Sequence, residues 1–127
     1  FMSSSMLKYL IAAESLCDDE NGVSLTALAL KTGVTKVSAY RAVDRLETGG
    51  YMVRDGKKKI FLTRKGIESL RTYMREVYVL RDVFMKICKL PRNAAYHEAL
   101  KAVGALSGKS LEALTDFFEK NVIKTAG

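Results

Sequence analysis

Residues 24–50 read SLTALALKTGVTKVSAYRAVDRLETGG, and their reading decides the fold. Ser24 suits an N-cap, because its hydroxyl can take one of the backbone N–H groups that every helix start leaves unpaired. The spacing predicts a short helix over 25–31, closed by Gly33 as the residue after the C-cap. Thr35 then caps a second helix running to Thr48, and Gly49-Gly50 stops it. Its apolar positions, Val37 or Ala39 with Val43 and Leu46, leave Lys36, Ser38, Tyr40, Arg41, Asp44 and Arg45 for the other faces. Thr32-Gly33-Val34-Thr35 between them is the short Gly-containing link of a helix-turn-helix.

Working outward, residues 51–54 read as a strand. Asp55-Gly56 follows as a two-residue hairpin signal, a type I′ turn that needs positive φ at glycine, and 58–62 reads as the return strand. Helix, turn, helix, hairpin in this order is the winged-helix plan. Upstream, Met6, Leu7, Leu10, Ile11 and Leu16 make a helical stripe, broken by the charged turn at 18–22. Downstream, Thr63 caps a long helix expected to reach Lys89, with apolar residues at Ile67, Leu70, Met74, Val77, Leu80, Phe84 and Ile87. Leu90-Pro91 breaks it. A helix over 93–106 follows, and Ser107 or Ser110 opens a last one to about Lys120. The expected fold is mainly α with a small β-hairpin wing. A winged helix-turn-helix over 6–66 precedes a helical dimerisation domain over 67–121. The first helix is expected to pack on the helical half, and a second subunit to cover the remaining apolar face.

Composition sets the bounds. The 127 residues are 48% hydrophobic, enough to bury a core and too many for a disordered chain. A formal charge of +7 favours a polyanionic partner, since Lys and Arg that neutralise phosphates release counterions. No apolar run is long enough to span a bilayer, and residues 1–6 lack the charged and apolar regions of a secretory leader. Cys17 and Cys88 make neither a disulfide framework nor a CxxC pair, which fits a reduced, cytoplasmic protein.

In a helix-turn-helix the second helix enters the major groove with its N-terminal residues against the base edges. Those residues are Thr35, Lys36, Ser38 and, one turn on, Arg41. Arg41 is the expected base reader, because its planar fork can take guanine O6 and N7 together. Thr35 and Ser38 suit phosphate or base contacts, Tyr40 the backbone or the core, and Arg45 phosphate. The wing adds Arg54 and Lys57-Lys58-Lys59. Lysines also blunt exposed strand edges, but beside a helix-turn-helix they are expected to meet phosphate. The implied partner is double-stranded DNA.

The whole stretch from Met6 to about Asn121 resembles the diphtheria-toxin-repressor family of iron- and manganese-dependent regulators. Leu62-Thr63-Arg64-Lys65-Gly66 resembles that family's Thr-x-x-Gly entry to the long helix, and Lys89-Leu90-Pro91 its break. His97-Glu98-Ala99 followed by Leu106-Ser107 resembles its Glu-Ala…Ser helix and turn, and Leu111, Leu114 and Phe117-Phe118 its closing helix. The resemblance implies a homodimer, with Val77, Leu80, Phe84, Leu111 and Leu114 at the dimer face, and a transition-metal switch. The ligand positions it implies carry Val77, Leu100, Val103 and Gly104, while Leu7 and Lys8 beside Tyr9-Leu10 cannot serve either. Arg81 and Tyr96 stand where ancillary ligands are implied, with His97 out of register. Such a site needs three or four N, O or S donors, so no metal cofactor is expected and the slot reads as filled-in core. The small β domain of larger members has no counterpart before Gly127. A different reading places an organic ligand in the vacated slot, with Tyr9, Tyr73, Tyr78 and Phe84 as walls. Unexpected metal sites at Cys17, Cys88 or His97 stay open. One histidine and no GxSxG, P-loop or HExxH leave no enzyme chemistry in view.

Overall fold

The structure, a computed structural model, describes residues 4–17 and 20–123. The chain forms two compact units, one over residues 5–70 and one from residue 71 onward. The first holds α1 (Ser4–Leu16), α2 (Leu25–Thr32), α3 (Lys36–Thr48), β1 (Met52–Arg54), β2 (Ile60–Leu62) and the start of α4 (Arg64–Lys86). The expected break at 18–22 falls partly outside the described residues. The first helix, expected to pack with the helical half, groups instead with the winged unit. Its Leu7, Tyr9, Leu10, Ala12 and Ala13 are all buried.

Capping shapes the centre of this unit. Ser24 Oγ accepts from the Ala27 amide at 3.1 Å, and Gly33, at φ 74, donates to Ala29 O and Leu30 O. Only glycine takes that left-handed conformation without strain, and it lets the Val34 amide reach Ala29 O at 3.1 Å. Thr35 Oγ1 then accepts from the Ser38 amide at 3.1 Å and opens α3. The α3 stripe Ala39, Ala42, Val43 and Leu46 is buried beside Leu28, Met52 and Ile60 in the same core. Each of the larger side chains contributes about 1.5–3 kcal/mol on burial.

The wing differs from expectation. β1 and β2 pair antiparallel, Met52 with Leu62 and Arg54 with Ile60, but the turn is not a two-residue type I′ loop. The Asp55 amide donates to Lys59 O at 3.0 Å and the Lys58 amide to Asp55 O at 2.9 Å. Lys58, not Gly56, takes the positive φ, 63°. The cause is the Asp55 carboxylate, whose Oδ1 accepts from the Lys57 and Lys59 amides at 2.8 and 2.9 Å and holds a wider loop. The return strand shortens accordingly to Ile60–Leu62. Val23 adds an isolated bridge to Ile60 through two 2.8 Å backbone bonds, outside the two-stranded sheet.

The entry to α4 is crowded. Thr63 Oγ1 donates to Gly50 O at 2.6 Å and accepts from the Gly66 amide at 3.0 Å. A Cβ on Gly66 would sit 2.1 Å from Tyr51 O, closer than any real contact, and backbone cannot swing aside. Gly66→Ala is therefore expected to destabilise the protein by about 1–3 kcal/mol. An unchanged thermal midpoint would show that the α4 entry can slide.

The second unit holds the rest of α4, α5 (Arg92–Ala105), α6 (Gly108–Phe118) and a π-helical turn over Glu119–Ile123. α4 stops at Lys86, short of Lys89. Lys89 turns left-handed at φ 60, the Leu90 amide folds back to Phe84 O at 3.2 Å, and the α conformation is disfavoured before Pro91. Val77, Val79, Leu80, Val83, Ala95, Ala99, Val103 and Leu111 are buried. Ser107 Oγ caps α6 by accepting from the Ser110 amide at 3.2 Å. Arg75 ties α4 to α6 through Asp116 at 3.7 Å and to the turn after it through Glu119.

Glu76 is buried beside this core, at 6% exposure. Burial pushes its carboxyl above the ordinary 4.5 and Glu112 pushes the same way, against Arg75. A folded carboxyl that holds its proton more tightly than the unfolded one loses stability as pH rises above 4.5. Glu76→Gln is accordingly expected to raise the thermal midpoint at neutral pH, the gain vanishing as pH falls toward 4.5. Equal midpoints at neutral pH would mean the charge is well solvated.

Candidate nucleic-acid interface

α3 has four sides, and each does something different. Its buried stripe faces the core. The helical period puts Val37, Arg41, Asp44 and Thr48 opposite that stripe, on the outermost ridge. Val37, expected as an alternative core residue, is 61% exposed, and Ala39 holds the core position in its place. Lys36, Ser38, Tyr40 and Arg45 are also exposed, and so is the cap residue Thr35.

One flank is locked to the wing. Arg54 on β1 reaches back to α3, with Nη2 on Glu47 Oε1 at 2.7 Å and Nε on the same oxygen at 3.2 Å. It also pairs with Asp44. The Arg54 amide donates to Glu47 Oε2 at 3.2 Å, and the guanidinium lies 5.3 Å from the Tyr40 ring centre. The two carboxylates hold the guanidinium more firmly charged, and Arg54 holds the Glu47 carboxyl below its ordinary value. Arg54, expected at the phosphates, is thus taken up inside the unit. Sequence reasoning missed this because Asp44 and Glu47 lie on a different element. Lys65 is similarly engaged: its ammonium donates to Gly49 O at 2.8 Å and sits 4.6 Å from the Tyr51 ring centre.

The other flank carries Ser38, Arg41 and Arg45. These line a cleft of about 250 Å³ with Ser5, Lys8 and Tyr9 of α1. The wing tip presents Lys57 and Lys58 to solvent, with Lys59 half-buried. Among the described residues, no ion pair engages Lys57, Lys58, Lys59, Lys36, Arg41 or Arg45. Their positive charge is available to a polyanion.

The metal positions implied by the sequence resemblance do not fit a metal. Val77 and Val103 are fully buried, Gly104 is buried, Leu100 is half-buried, and none has a donor atom. Among the described residues no three His, Cys, Asp or Glu side chains gather to hold one. Cys17 is half-buried, Cys88 exposed, and the exposed His97 packs against Tyr96 with ring centres 5.8 Å apart. Of the four proposed ligand walls, Tyr78 lines an open groove of about 540 Å³ in the second unit, with Met74, Val79 and Ile123. Tyr9, Tyr73 and Phe84 do not line it.

The expected dimer residues separate in the same way. Val77, Leu80 and Leu111 are 0%, 4% and 0% exposed in the single chain, so they fill its own core and have no surface for a partner. Phe84 is half-buried. Leu114 is 38% exposed, and the neighbouring Phe117, not singled out as a dimer residue from sequence, 56%.

Solved structures share this fold. A hypothetical protein, SSo2273 from Sulfolobus solfataricus, superposes with a TM-score of 0.77 at 16% identity, covering 94% of this chain and 91% of its own. The manganese regulator SloR matches with a TM-score of 0.70 at 18% identity over 93% of this chain and 54% of its own. A manganese-dependent transcriptional repressor solved with manganese matches with a TM-score of 0.66 at 20% identity, over 90% and 52%. The chain spans about half the length of these two regulators. No protein-family model matches the sequence, and no curated protein matches it. The fold is that of the metal-dependent winged-helix regulators, as the sequence resemblance implied.

With the clamp removed, the wing should loosen while α3 stays put. Arg54→Met is expected to speed amide exchange over residues 52–62 and leave the α3 amides at their original rates. Equal wing exchange in both proteins would show that the hairpin needs no tie to α3.

Proposed function

We propose that this chain is a homodimeric, sequence-reading DNA-binding transcriptional regulator, a divergent member of the iron- and manganese-dependent repressor family that works without the metal. The observation that carries the reading is the outer side of α3. It presents Lys36, Val37, Ser38 and Arg41 to solvent beside a wing tip of three lysines, on a fold shared with solved metal-dependent regulators. A major groove admits one α-helix and offers hydrogen-bonding edges and thymine methyl groups. Polar residues flanking an exposed valine suit both. Lys57, Lys58 and Lys59 then lie against phosphate, as Thr35 and Tyr40 do at the sides of α3.

Metal independence is supported by what occupies the mapped positions. Val77, Leu100, Val103 and Gly104 offer no ligand side chain, and the burial of Val77, Val103 and Gly104 lets packing stand where a metal would be held. A second copy is best accommodated on α6, where Leu114 and Phe117 are exposed. A dimer presents two α3 helices to half-sites about one helical turn apart and so selects a near-palindromic operator. Occupying such a site blocks a promoter sterically, which makes repression the favoured outcome. The reading places the protein in the cytoplasm and assigns it no catalysis.

The test is capture of fragmented source-genome DNA by the purified protein, in chelator and in manganese. The same near-palindromic sequence is expected in both, with affinity falling steeply as salt rises. Enrichment in manganese alone would overturn metal independence, and no enrichment in either would overturn the DNA reading.

A further inference from the structure

The cleft between the first turns of α1 and the flank of α3 is not explained by groove reading alone. It brings Lys8, distant in sequence, beside Arg41 and Arg45, with the hydroxyls of Ser5 and Ser38 at its rim. Among the described residues no carboxylate lines it. Three like charges on one small concavity repel one another unless an anion lies between them. The cleft's volume of about 250 Å³ is ample for a phosphate group. Ser5 stands in the first turn of a 13-residue helix, whose positive end adds to the attraction. The Lys8 side chain is exposed at the lip, its ammonium 5.4 Å from the Tyr9 ring centre, and it can swing over whatever enters.

We propose that this cleft seats one backbone phosphodiester of the bound DNA, with Lys8 of α1 closing over a phosphate that Arg41 and Arg45 hold from α3. The inference rests on the DNA-binding reading above and extends the footprint from the recognition helix to α1. It assigns Arg41 to the backbone, although sequence alone made it the base reader. Base reading then falls to Lys36, Val37 and Ser38 nearer the helix start. A phosphate fixed on each side of α3, here and at the wing, sets the depth and tilt at which the helix enters the groove.

The experiment uses the full chain, its captured operator and the Lys8→Gln variant, whose exposed side chain leaves the fold unaffected by circular dichroism. Lys8→Gln is expected to weaken binding equally on operator and unrelated DNA and to lower the salt slope by about one. The affinity gap to the unaltered protein should shrink roughly three-fold between about 50 and 200 mM salt. Neutral methylphosphonate links, placed one at a time, should include one position that weakens the unaltered protein but costs Lys8→Gln nothing further. Arg41→Ala should likewise lose affinity on all sequences. An unaltered protein that binds operator while Lys8→Gln matches it in affinity and salt slope would overturn the seat and leave the DNA reading standing. Relaxed preference at one base position in Arg41→Ala would return Arg41 to base reading and overturn its place here. Failure of the unaltered protein to bind any DNA would overturn the functional reading itself. Calorimetry with inorganic phosphate separates the other source of this chemistry. No saturation is expected at millimolar phosphate, and saturable binding that leaves DNA affinity unchanged would make the cleft a small-anion site instead.

Discussion

The burial of Ala39, Ala42, Val43 and Leu46 along one stripe of α3 is the constraint on which the rest depends. A helix has one rotational setting in which all four side chains leave water. Once that setting is taken, the remaining positions have no freedom over where they point. Val37 and Arg41 come to the outer ridge, Tyr40 and Glu47 turn to the wing, and Ser38 and Arg45 turn to α1. The small side chains at 39 and 42 matter as much as the apolar ones. They let α3 sit close to its neighbours, so its outer residues stand on a rigid base.

Charge is distributed around that helix by the same geometry. Arg54 could have been one more cation facing solvent, but Asp44 and Glu47 draw it inward and make it a strut between hairpin and helix. Lys65 is spent on the carbonyl of Gly49 at the C-terminal end of α3, where the helix dipole favours a cation. The wing lysines, Lys36, Arg41 and Arg45 keep their charge for an outside partner. Net charge therefore overstates the basic surface near the wing root and understates its concentration near the N-terminal half of α3.

Much of this was legible in the sequence because it rests on local rules. Ser24, Thr35, Thr63 and Ser107 cap helices or helix entries through their own hydroxyls, and Pro91 stops α4 within three residues of the expected place. These depend on neighbours a few positions away. What could not be read depends on long-range contact. The Val23–Ile60 bridge pairs single residues 37 positions apart and has no periodicity. Val37 and Ala39 compete for one core position, and which of them wins depends on how closely the facing element approaches. Asp55-Gly56 marked the hairpin correctly but not its turn type, since the aspartate's two amide contacts outweighed glycine's tolerance of positive φ and passed the strained residue to Lys58.

The apolar stripe of α4 was the most instructive misreading. Val77 and Leu80 lie on the most regular part of that stripe, and regularity suggested a surface awaiting a partner. Both side chains are instead buried within the single chain. Ala95, Ala99 and Val103 recur every four residues on α5, and Leu111 on α6 is fully buried. A metal site in such a bundle would require carboxylate, imidazole or thiol groups to be held apart from one another around an ion. Valine at 77 and 103 instead removes both the donors and the space. At the mapped positions the chain thus presents packed apolar side chains where an ion would need ligands.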